Sequence, residues 1–430
     1  MKVMVVGGGA REHALAWKLS RSKKVKELYV APGNAGTAQI AVNLDISPTN
    51  LDALTRAAKD NKVDLVVVGT EAPLAAGIVD KLQSLGIPAF GPTKEAALIE
   101  SSKVFAKRLM HKYGIPCAED AVFSSFKEAE AYVKKQPIPL VIKADGLAAG
   151  KGAIVAQSMD EALKALYDIM EKRVFGDAGN QVLVEECLVG RETSLLAFTD
   201  GVTVVPMVTA RDYKRAYDYD RGPNTGGMGC YSPSRFLDKE SSNKAIKTIV
   251  EPVVKAMAKE GKPYKGVLYT GLMLTAEGPK VLEFNARFGD PETQVQLPLL
   301  KSDLVDIMLA VIDGKLAKIK VEWNNGACVG VVMASGGYPG SYKQGFPIAG
   351  LDKIDSDMLV FHAGTKLDGG KICTVGGECS LWSLQEKLLQ KHEKGFILTC
   401  LASVLRIVIT GRTSPQRRGS HATCRYSYGQ

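Results

Sequence analysis

The chain has 430 residues, 46% of them apolar and 23% charged. That composition is globular, too long for one hydrophobic core, and unlike a disordered or fibrous protein. The formal charge of +9 is uneven: residues 1–372 carry 47 Lys and Arg against 43 Asp and Glu, and the last 58 carry 8 against 3, so the body is close to neutral and does not mark a nucleic-acid binder.

MKVMVVGGG opens the chain with one Lys and no small-residue cleavage site before its glycines, so no secretion signal is expected. The same segment predicts a buried parallel strand entering a glycine turn, with AREHALAWKLSRS as the helix that follows. KELYVAPG then reads as strand and turn, LDALTRAAKDN as helix, VDLVVVGTE as strand and LAAGIVDKLQSLG as helix. Alternation over about 90 residues predicts an open parallel sheet with its ligand crevice beyond the strands' carboxyl ends. Gly7, Gly8 and Gly9 do not form GxGxxG, and no convincing acidic ribose partner follows the second strand. A phosphate or sugar-phosphate site, a dinucleotide site and a tight packing turn all stay open there, the first favoured.

A charged helix from Ser101 to Gly114 leads into a second pattern. FSSFKEAEAYVKKQ and MDEALKALYDIMEKR predict helices around PLVIKADGLAAGKGAIVA, which reads as strand, glycine loop, strand. VLVEECLVG, ETSLLAFTDG and TVVPMVTARDYKR are short alternating segments, hence a largely antiparallel sheet. GPNTGGMG is a second glycine loop, KAIKTIVEPVVKAMAKEG an amphipathic helix, and GVLYTGLMLTAEGPKVLEFNARFGD two strands joined through a Glu-Gly turn. A smaller strand-rich module begins near Glu322 and is clearest in ACVGVVMASGGYPG. The late apolar stretch LTCLASVLRIVIT is broken by Arg406 and too short to span a membrane.

Two segments carry chemistry. Lys143 ends an apolar strand and is followed by DGLAAGKG, where Gly146, Gly150 and Gly152 would let backbone amides approach phosphate and Lys151 supplies a mobile charge; GxxxxGK[ST] is absent, so this is not a P-loop. In VLEFNARFGDPETQ, strand alternation puts Leu282 and Phe284 on one face and Glu283 and Asn285 on the other. A carboxylate and an amide oxygen then share a polar space suited to Mg²⁺, with Arg287 beside them to grip phosphate or carboxylate. RDYKR adds Asp212 and Lys214 to a mixed charge cluster, and Glu185, Glu186 and Glu192 surround a short strand, one of them a candidate for a ribose hydroxyl. The solvated-surface alternative applies to each of these clusters. His13, His111 and His362 do not form a metal triad by spacing, and no zinc-spaced CxxC or serine elbow is present. His13 lies beside Arg11 and Glu12 where a helix begins, a position that favours anions.

Taken together, GGGAREHA at 7–14, PGNAGT at 32–37, GTEAPL at 69–74, KADGLAAGKG at 143–152, GPNTGGMG at 222–229, EFNARFGDPETQ at 283–294 and HAGT at 362–365 resemble the motifs of the phosphoribosylamine–glycine ligase family, or glycinamide ribonucleotide synthetases, of the ATP-grasp superfamily. The resemblance implies an α/β chain with three parts. They are an N-terminal parallel-sheet pre-ATP-grasp domain over 1–102, an ATP-grasp domain over 103–321 with a lid subdomain near 120–190, and a small strand-rich C-terminal domain over 322–430. It implies that ATP, glycine and 5-phosphoribosylamine give ADP, phosphate and glycinamide ribonucleotide through glycyl phosphate, in purine biosynthesis. Glu283 and Asn285 would hold Mg²⁺ (or Mn²⁺). Lys103, Lys143 and the loop through Lys151 would hold the ATP phosphates, Glu185, Glu186, Cys187 and Leu188 would lie along the adenine, and Glu192 would take the ribose. Gly9, Arg11, Glu12 and His13, with Asn34 and Glu71 nearby, would shape the sugar-phosphate site. Asp212, Lys214, Asn224, Arg287 and Asp290 would surround glycine and the transferred phosphoryl group. The implied partners are these small molecules, with no nucleic acid and no membrane, in a cytoplasmic protein with free thiols, monomeric or else dimeric. The alternatives are an ATP-grasp ligase for another small acid or amine, and a nucleotide-binding protein without turnover.

The chain departs from the family pattern in two places. RDYKRAYDYDRGPNTGG has Arg211, Tyr213 and Tyr219 where the family reads closer to QDHKR and DGD, and Tyr for Gly at 219 restricts the backbone. After Gly377 the expected GGRVLxVxAxG is replaced by GGECSLWSLQEKLLQKHEKG, and the last 58 residues hold four of the eight cysteines and more than half of the net charge. The pattern points to a shifted reading frame or sequencing error in the coding DNA, with lineage divergence or a cloning artefact as the alternatives, and to a last module without its final native strands.

Overall fold

The computed structural model describes residues 1–148, 151–218, 221–355 and 358–385. β1 (Lys2–Gly7), β2 (Glu27–Pro32), β3 (Val42–Asn43), β4 (Leu65–Val68) and β5 (Ala89–Phe90) form a parallel sheet in the order β3-β2-β1-β4-β5. β1 is apolar throughout because both of its faces are covered. Met4 and Val6 enter one core, Val3 and Val5 another. The covering helices are α1 (Ala10–Ser20), α2 (Leu51–Asp60), α3 (Glu71–Ala76) and α4 (Ile78–Ser84). The single helix expected over LAAGIVDKLQSLG is thus two, because Gly77 takes a left-handed conformation with φ +92°. Strand order reverses at β1, which has β2 on one side and β4 on the other. A ligand crevice belongs at the carboxyl ends of such a pair.

α5 (Leu98–Ser101) and α6 (Lys103–Tyr113) lead away from this sheet, with the Ser102 hydroxyl accepting from the Phe105 N–H to cap α6. β6 (Asp120–Phe123), β7 (Leu140–Ala144), β8 (Ala153–Ala156) and β9 (Val182–Glu186) make an antiparallel sheet in the order β6-β9-β7-β8. It packs against α7 (Phe126–Val133) and α8 (Met159–Met170) around a core of its own that includes Val133, Ile142, Leu166, Ile169 and Val184.

β10 (Arg191–Asp200), β11 (Val204–Pro206), β12 (Arg211–Asp212), β13 (Arg215–Tyr217), β14 (Arg221–Asn224) and β15 (Gly229–Ser232) precede a long helix. That helix runs from α9 (Lys239–Ala245) through a π turn into α10 (Glu251–Lys259). β16 (Lys265–Thr275) and β17 (Gly278–Asn285) follow, completing the antiparallel sheet β11-β10-β16-β17. After α11 (Glu292–Gln296) and α12 (Leu304–Ile312) come β18 (Cys328–Ala334), β19 (Met358–His362), the hairpin of β20 (Thr365–Asp368) and β21 (Lys371–Thr374), and β22 (Glu378–Gln385). The late sheet has the order β12-β15-β18-β22-β19, so it recruits two strands from the middle of the chain. β22, where the sequence begins to depart from the family pattern, pairs with β18 on one side and β19 on the other. Tyr219 and the expected loss of final strands fall outside the described residues. Among the described residues no helix is long and apolar enough to cross a membrane.

One core joins these layers. Val3, Val5, Phe198, Leu304, Met308, Phe361 and Leu381 belong to a single buried cluster. Phe198 is fully buried and meets Phe288 edge-on at 6.1 Å between ring centroids. Phe198→Ala is expected to lower the free energy of unfolding by about 3–5 kcal/mol, measured by urea denaturation of the full chain.

Candidate active site

Three elements meet at a cavity of about 500 Å³. The N-terminal part contributes Arg11 and Glu71 from the first turns of α1 and α3, which follow β1 and β4, the β6–β9 sheet contributes Lys143 and Glu185, and β17 contributes Glu283 and Asn285. Lys143 is the next-to-last residue of β7 and is buried with Leu140, Ile142 and Ala144 of the same strand. Its ammonium donates to Leu282 O at 2.9 Å and pairs with Glu185 Oε2 at 2.7 Å. Glu185 also faces Lys107, 3.4 Å away, and Lys107 donates to Ala118 O at 2.7 Å. Lys103 donates to Gly146 O at 2.9 Å, and burial lowers its pKa. Gly146 has φ +155° and a Cβ there would lie 2.7 Å from Ala178 Cβ, so only glycine lets this loop run so close.

β17 does not alternate as simply as its sequence suggests. Gly271 pairs with Glu283 but Leu272 pairs with Val281, leaving Leu282 as an extra residue. Phe284 packs into the core and also lines the cavity, as do Leu282, Glu283 and Asn285. Burial pushes Glu283 up, but Lys214, Lys143, Lys103 and Arg287 outweigh it and hold the carboxyl below its ordinary value. Lys214 stands 3.8 Å from Glu283 Oε1, beyond hydrogen-bond reach, and Asn285 Oδ1 accepts a 3.3 Å bond from Arg287. Two hard oxygen donors, one ionised and neither saturated, fit Mg²⁺ whose remaining ligands are phosphate oxygens and water. Among the described residues no three His, Cys, Asp or Glu side chains converge as a metal site.

On the opposite wall Glu71 lies 3.4 Å from Arg287 Nε and 4.0 Å from Arg11 Nη2. Burial raises Glu71, but the two guanidinium groups outweigh it and lower its pKa. Asp212 is pushed well above the ordinary carboxylate range, first by burial and then by Glu292, and its Oδ1 is buried without a hydrogen-bond partner. Burial also raises Asp290, opposed by Arg11. Glu292 accepts from the Ser194 hydroxyl at 2.8 Å, and that hydroxyl meets Tyr269 at 2.9 Å.

Of the residues singled out from sequence, Arg11, Glu71, Lys103, Lys143, Gly146, Gly152, Glu185, Asp212, Lys214, Asn224, Glu283, Asn285, Arg287 and Asp290 line the cavity. Glu192 reaches it only by pairing with Lys214. Lys151 is exposed, Gly150 lies outside the described residues, and Cys187 and Leu188 follow β9 without lining the wall. The Glu186 side chain accepts from the Glu119 N–H at 3.1 Å. Gly9, Glu12, His13 and Asn34 form an adjoining buried cluster. Glu12 accepts from the Gly9 N–H at 2.7 Å and from Arg11 Nε at 2.6 Å, and Asn34 spans to His362 O at 2.6 Å. His13 Nδ1 accepts from the His362 N–H at 2.8 Å. Burial, then His362, lowers His13 to about 3. The sequence reading did not single out Glu100, Lys107, Tyr269, Glu292 and Glu378, all of which line the cavity. Glu292 was within reach, since it sits inside the GDPET turn; the others carry no local signal.

Family models described as the phosphoribosylglycinamide synthetase N domain, ATP-grasp (A) domain and C domain match residues 1–100, 101–293 and 328–394. The chain belongs to the phosphoribosylglycinamide synthetase family. It is therefore an ATP-dependent ligase of the ATP-grasp type. The C-domain match continues past Gly377, where the motif resemblance fades. The chain is 51% identical over 393 residues to the phosphoribosylamine–glycine ligase of Halalkalibacterium halodurans, covering 91% of each chain. It is 52% identical over 403 residues to the trifunctional purine biosynthetic protein adenosine-3 of Gallus gallus, covering 92% of this chain and 40% of that one. The solved structure of phosphoribosylamine–glycine ligase from Thermotoga maritima matches with a TM-score of 0.77 at 34% identity, over 89% of this chain and 92% of that one. The biotin carboxylase domain of the Hydrogenobacter thermophilus 2-oxoglutarate carboxylase, with a TM-score of 0.68 at 16% identity over 89% and 86%, shares the fold.

Because folding lowers the pKa of His13 from 6.5 to about 3, protons bind the unfolded chain preferentially as pH falls through that window. The His13 contribution to stability is complete above about pH 6.5 and is lost toward pH 3. His13→Asn, whose side-chain oxygen can still accept from His362, is expected to flatten the melting temperature against pH in that window, read by thermal denaturation of both chains.

Proposed function

We propose that the chain joins glycine to 5-phosphoribosylamine at the expense of ATP, forming glycinamide ribonucleotide, ADP and phosphate through glycyl phosphate. The observation that carries this reading is that Arg11 and Glu71, at the carboxyl ends of a parallel sheet, share one cavity with the Lys103, Lys143, Glu283 and Asn285 cluster. An anionic sugar and a nucleotide triphosphate can therefore meet in one space.

In this reading Lys103 and Lys143 neutralise the ATP phosphates, Lys151 and the glycines of the β7–β8 loop cover them, and Glu185 holds Lys143 in place. The segment from Glu186 through Cys187 to Leu188 lies along the adenine, and Glu192 takes the ribose. Mg²⁺ on Glu283 and Asn285, when bound, supplies charge neutralisation at the outer phosphate oxygens. Arg287 and Lys214 orient the glycine carboxylate toward the γ-phosphorus. One carboxylate oxygen forms the new P–O bond and ADP leaves. The glycine ammonium would relieve the mutual repulsion of Asp212, Asp290 and Glu292, with Asn224 at the rim of the same pocket. Gly9, Arg11, Glu12, His13 and Asn34 shape the ground on which the sugar phosphate rests. The phosphoribosylamine nitrogen then attacks the acyl carbon, phosphate departs, and the nitrogen loses a proton. Excluding water matters because acyl phosphates hydrolyse, and proximity does the rest. In cellular terms the reading is a cytoplasmic protein, monomeric or else dimeric, whose partners are these small molecules and which serves purine biosynthesis.

Glu283→Ala is expected to lower glycinamide ribonucleotide formation at least a hundredfold, roughly the cost of losing one transition-state charge contact, while leaving the fold intact. The assay supplies ATP, Mg²⁺, glycine and freshly generated phosphoribosylamine, omits each in turn, and quantifies the product directly. A variant with near-normal turnover at low Mg²⁺ contradicts the role given to Glu283.

A further inference from the structure

Glu100 belongs to none of the motifs that carry the family resemblance, yet it stands at the seam of the molecule. The N-domain match ends at residue 100 and the ATP-grasp match starts at 101. Its side chain is 8% exposed and faces the cavity. Oε2 accepts the Ala286 N–H at 2.6 Å, and Oε1 lies 3.5 Å from Arg287 Nη2. β17 ends at Asn285, so the backbone at Ala286 has left its ladder. An acceptor from across the domain seam takes the place of a strand partner there.

Arg287 is held on every side. Its Nη2 donates to Asn285 Oδ1 at 3.3 Å and its Nη1 to Phe288 O at 3.2 Å, a carbonyl that Arg11 also reaches at 3.4 Å. Its Nε faces Glu71 at 3.4 Å without hydrogen-bond geometry, and Glu71 faces Arg11 at 4.0 Å. Arg11, Glu71, Arg287 and Glu100 thus alternate in sign from the end of β1 to the end of β17.

We propose that Glu100 is a positioning residue: it pins Ala286 and the Arg287 guanidinium, sets Asn285 toward the phosphoryl end, and ties that end through Glu71 to the Arg11 side of the cavity. The inference rests on the reaction proposed above. Its consequence is coupling. With Arg287 and Asn285 fixed by the same carboxylate, the activated acyl group forms where the amine can reach it. Displacements of about 1 Å are enough to cost a hundredfold in such geometry. When the pin is lost, acyl phosphate that misses the amine meets water, so ADP accumulates without product.

Two variants separate this role from simple structural support. Glu100→Gln keeps an acceptor for Ala286 but removes the charge facing Arg287, and Glu100→Asp keeps the charge on a shorter stem. ADP and glycinamide ribonucleotide are measured in one reaction of the full chain, with KM for each substrate and the melting temperature. Glu100→Gln is expected to lower kcat roughly tenfold or more and to raise the ADP-to-product ratio clearly above one, with a melting temperature within about 4 °C of the parent. Glu100→Asp should recover part of the coupling. The inference is overturned if both variants keep the ratio at one, whether kcat holds or falls with the folded fraction. A parent chain that makes ADP but no glycinamide ribonucleotide removes the underlying reaction instead, a result visible before any variant is compared.

Discussion

A carboxylate buried in a protein normally gains a proton, because low dielectric penalises its charge. Glu283, partly exposed at the cavity wall, is instead held below its ordinary pKa because Lys214, Lys143, Lys103 and Arg287 outweigh its desolvation. The rest of the cavity follows from this inversion. The four cations that ring this acid are the groups a triphosphate would meet. Each cation is itself held by a carboxylate or carbonyl at its far side: Glu185 and Leu282 O for Lys143, Gly146 O for Lys103, Glu192 for Lys214, Glu71 and Glu100 for Arg287. The site is therefore pre-organised by alternating charges, and a metal ion bridging Glu283 to phosphate would extend the same alternation.

The fold exists to bring the ends of this network together. Three sheets drawn from different stretches of the chain line one space, and the large core containing Phe198 and Phe288 locks two of them against the late sheet. The late sheet is not a separate appendage, since β12 and β15 come from the central segment and β12 carries Asp212. Burial of Asp212 beside Glu292 is a product of that crossover. The third body, with its own core around α7 and α8, carries the phosphate-side lysine on β7.

Much of this was legible in the sequence. Buried parallel strands announce themselves as apolar runs, and β1, β2 and β4 lie where the runs predicted. The Glu283–Asn285 pair was legible because strand alternation is strict enough to put both on one side, although the bulge at Leu282 was not, since it depends on the partner strand. Local pattern also could not show that Glu185 faces Lys143 and Lys107 as a buried ion pair, or that His13 is locked against His362, because each partner is supplied by a distant segment. Glu100 is the sharpest case. A lone acid in a short helical turn has no sequence signature, and its meaning appears only when Ala286 is brought to it by the closing of two domains. The segment after Gly377 shows the converse, since β22 forms between β18 and β19 despite an altered sequence without clean apolar alternation, its backbone paired on both sides.

The central claim is that the glycine carboxylate attacks phosphorus before the amine attacks carbon. It is tested most directly with glycine labelled by ¹⁸O in both carboxylate positions, turned over to completion with ATP and phosphoribosylamine, with the inorganic phosphate examined by mass spectrometry. The account predicts one labelled oxygen in each phosphate released and one retained in the amide. Unlabelled phosphate alongside full conversion to product would contradict it.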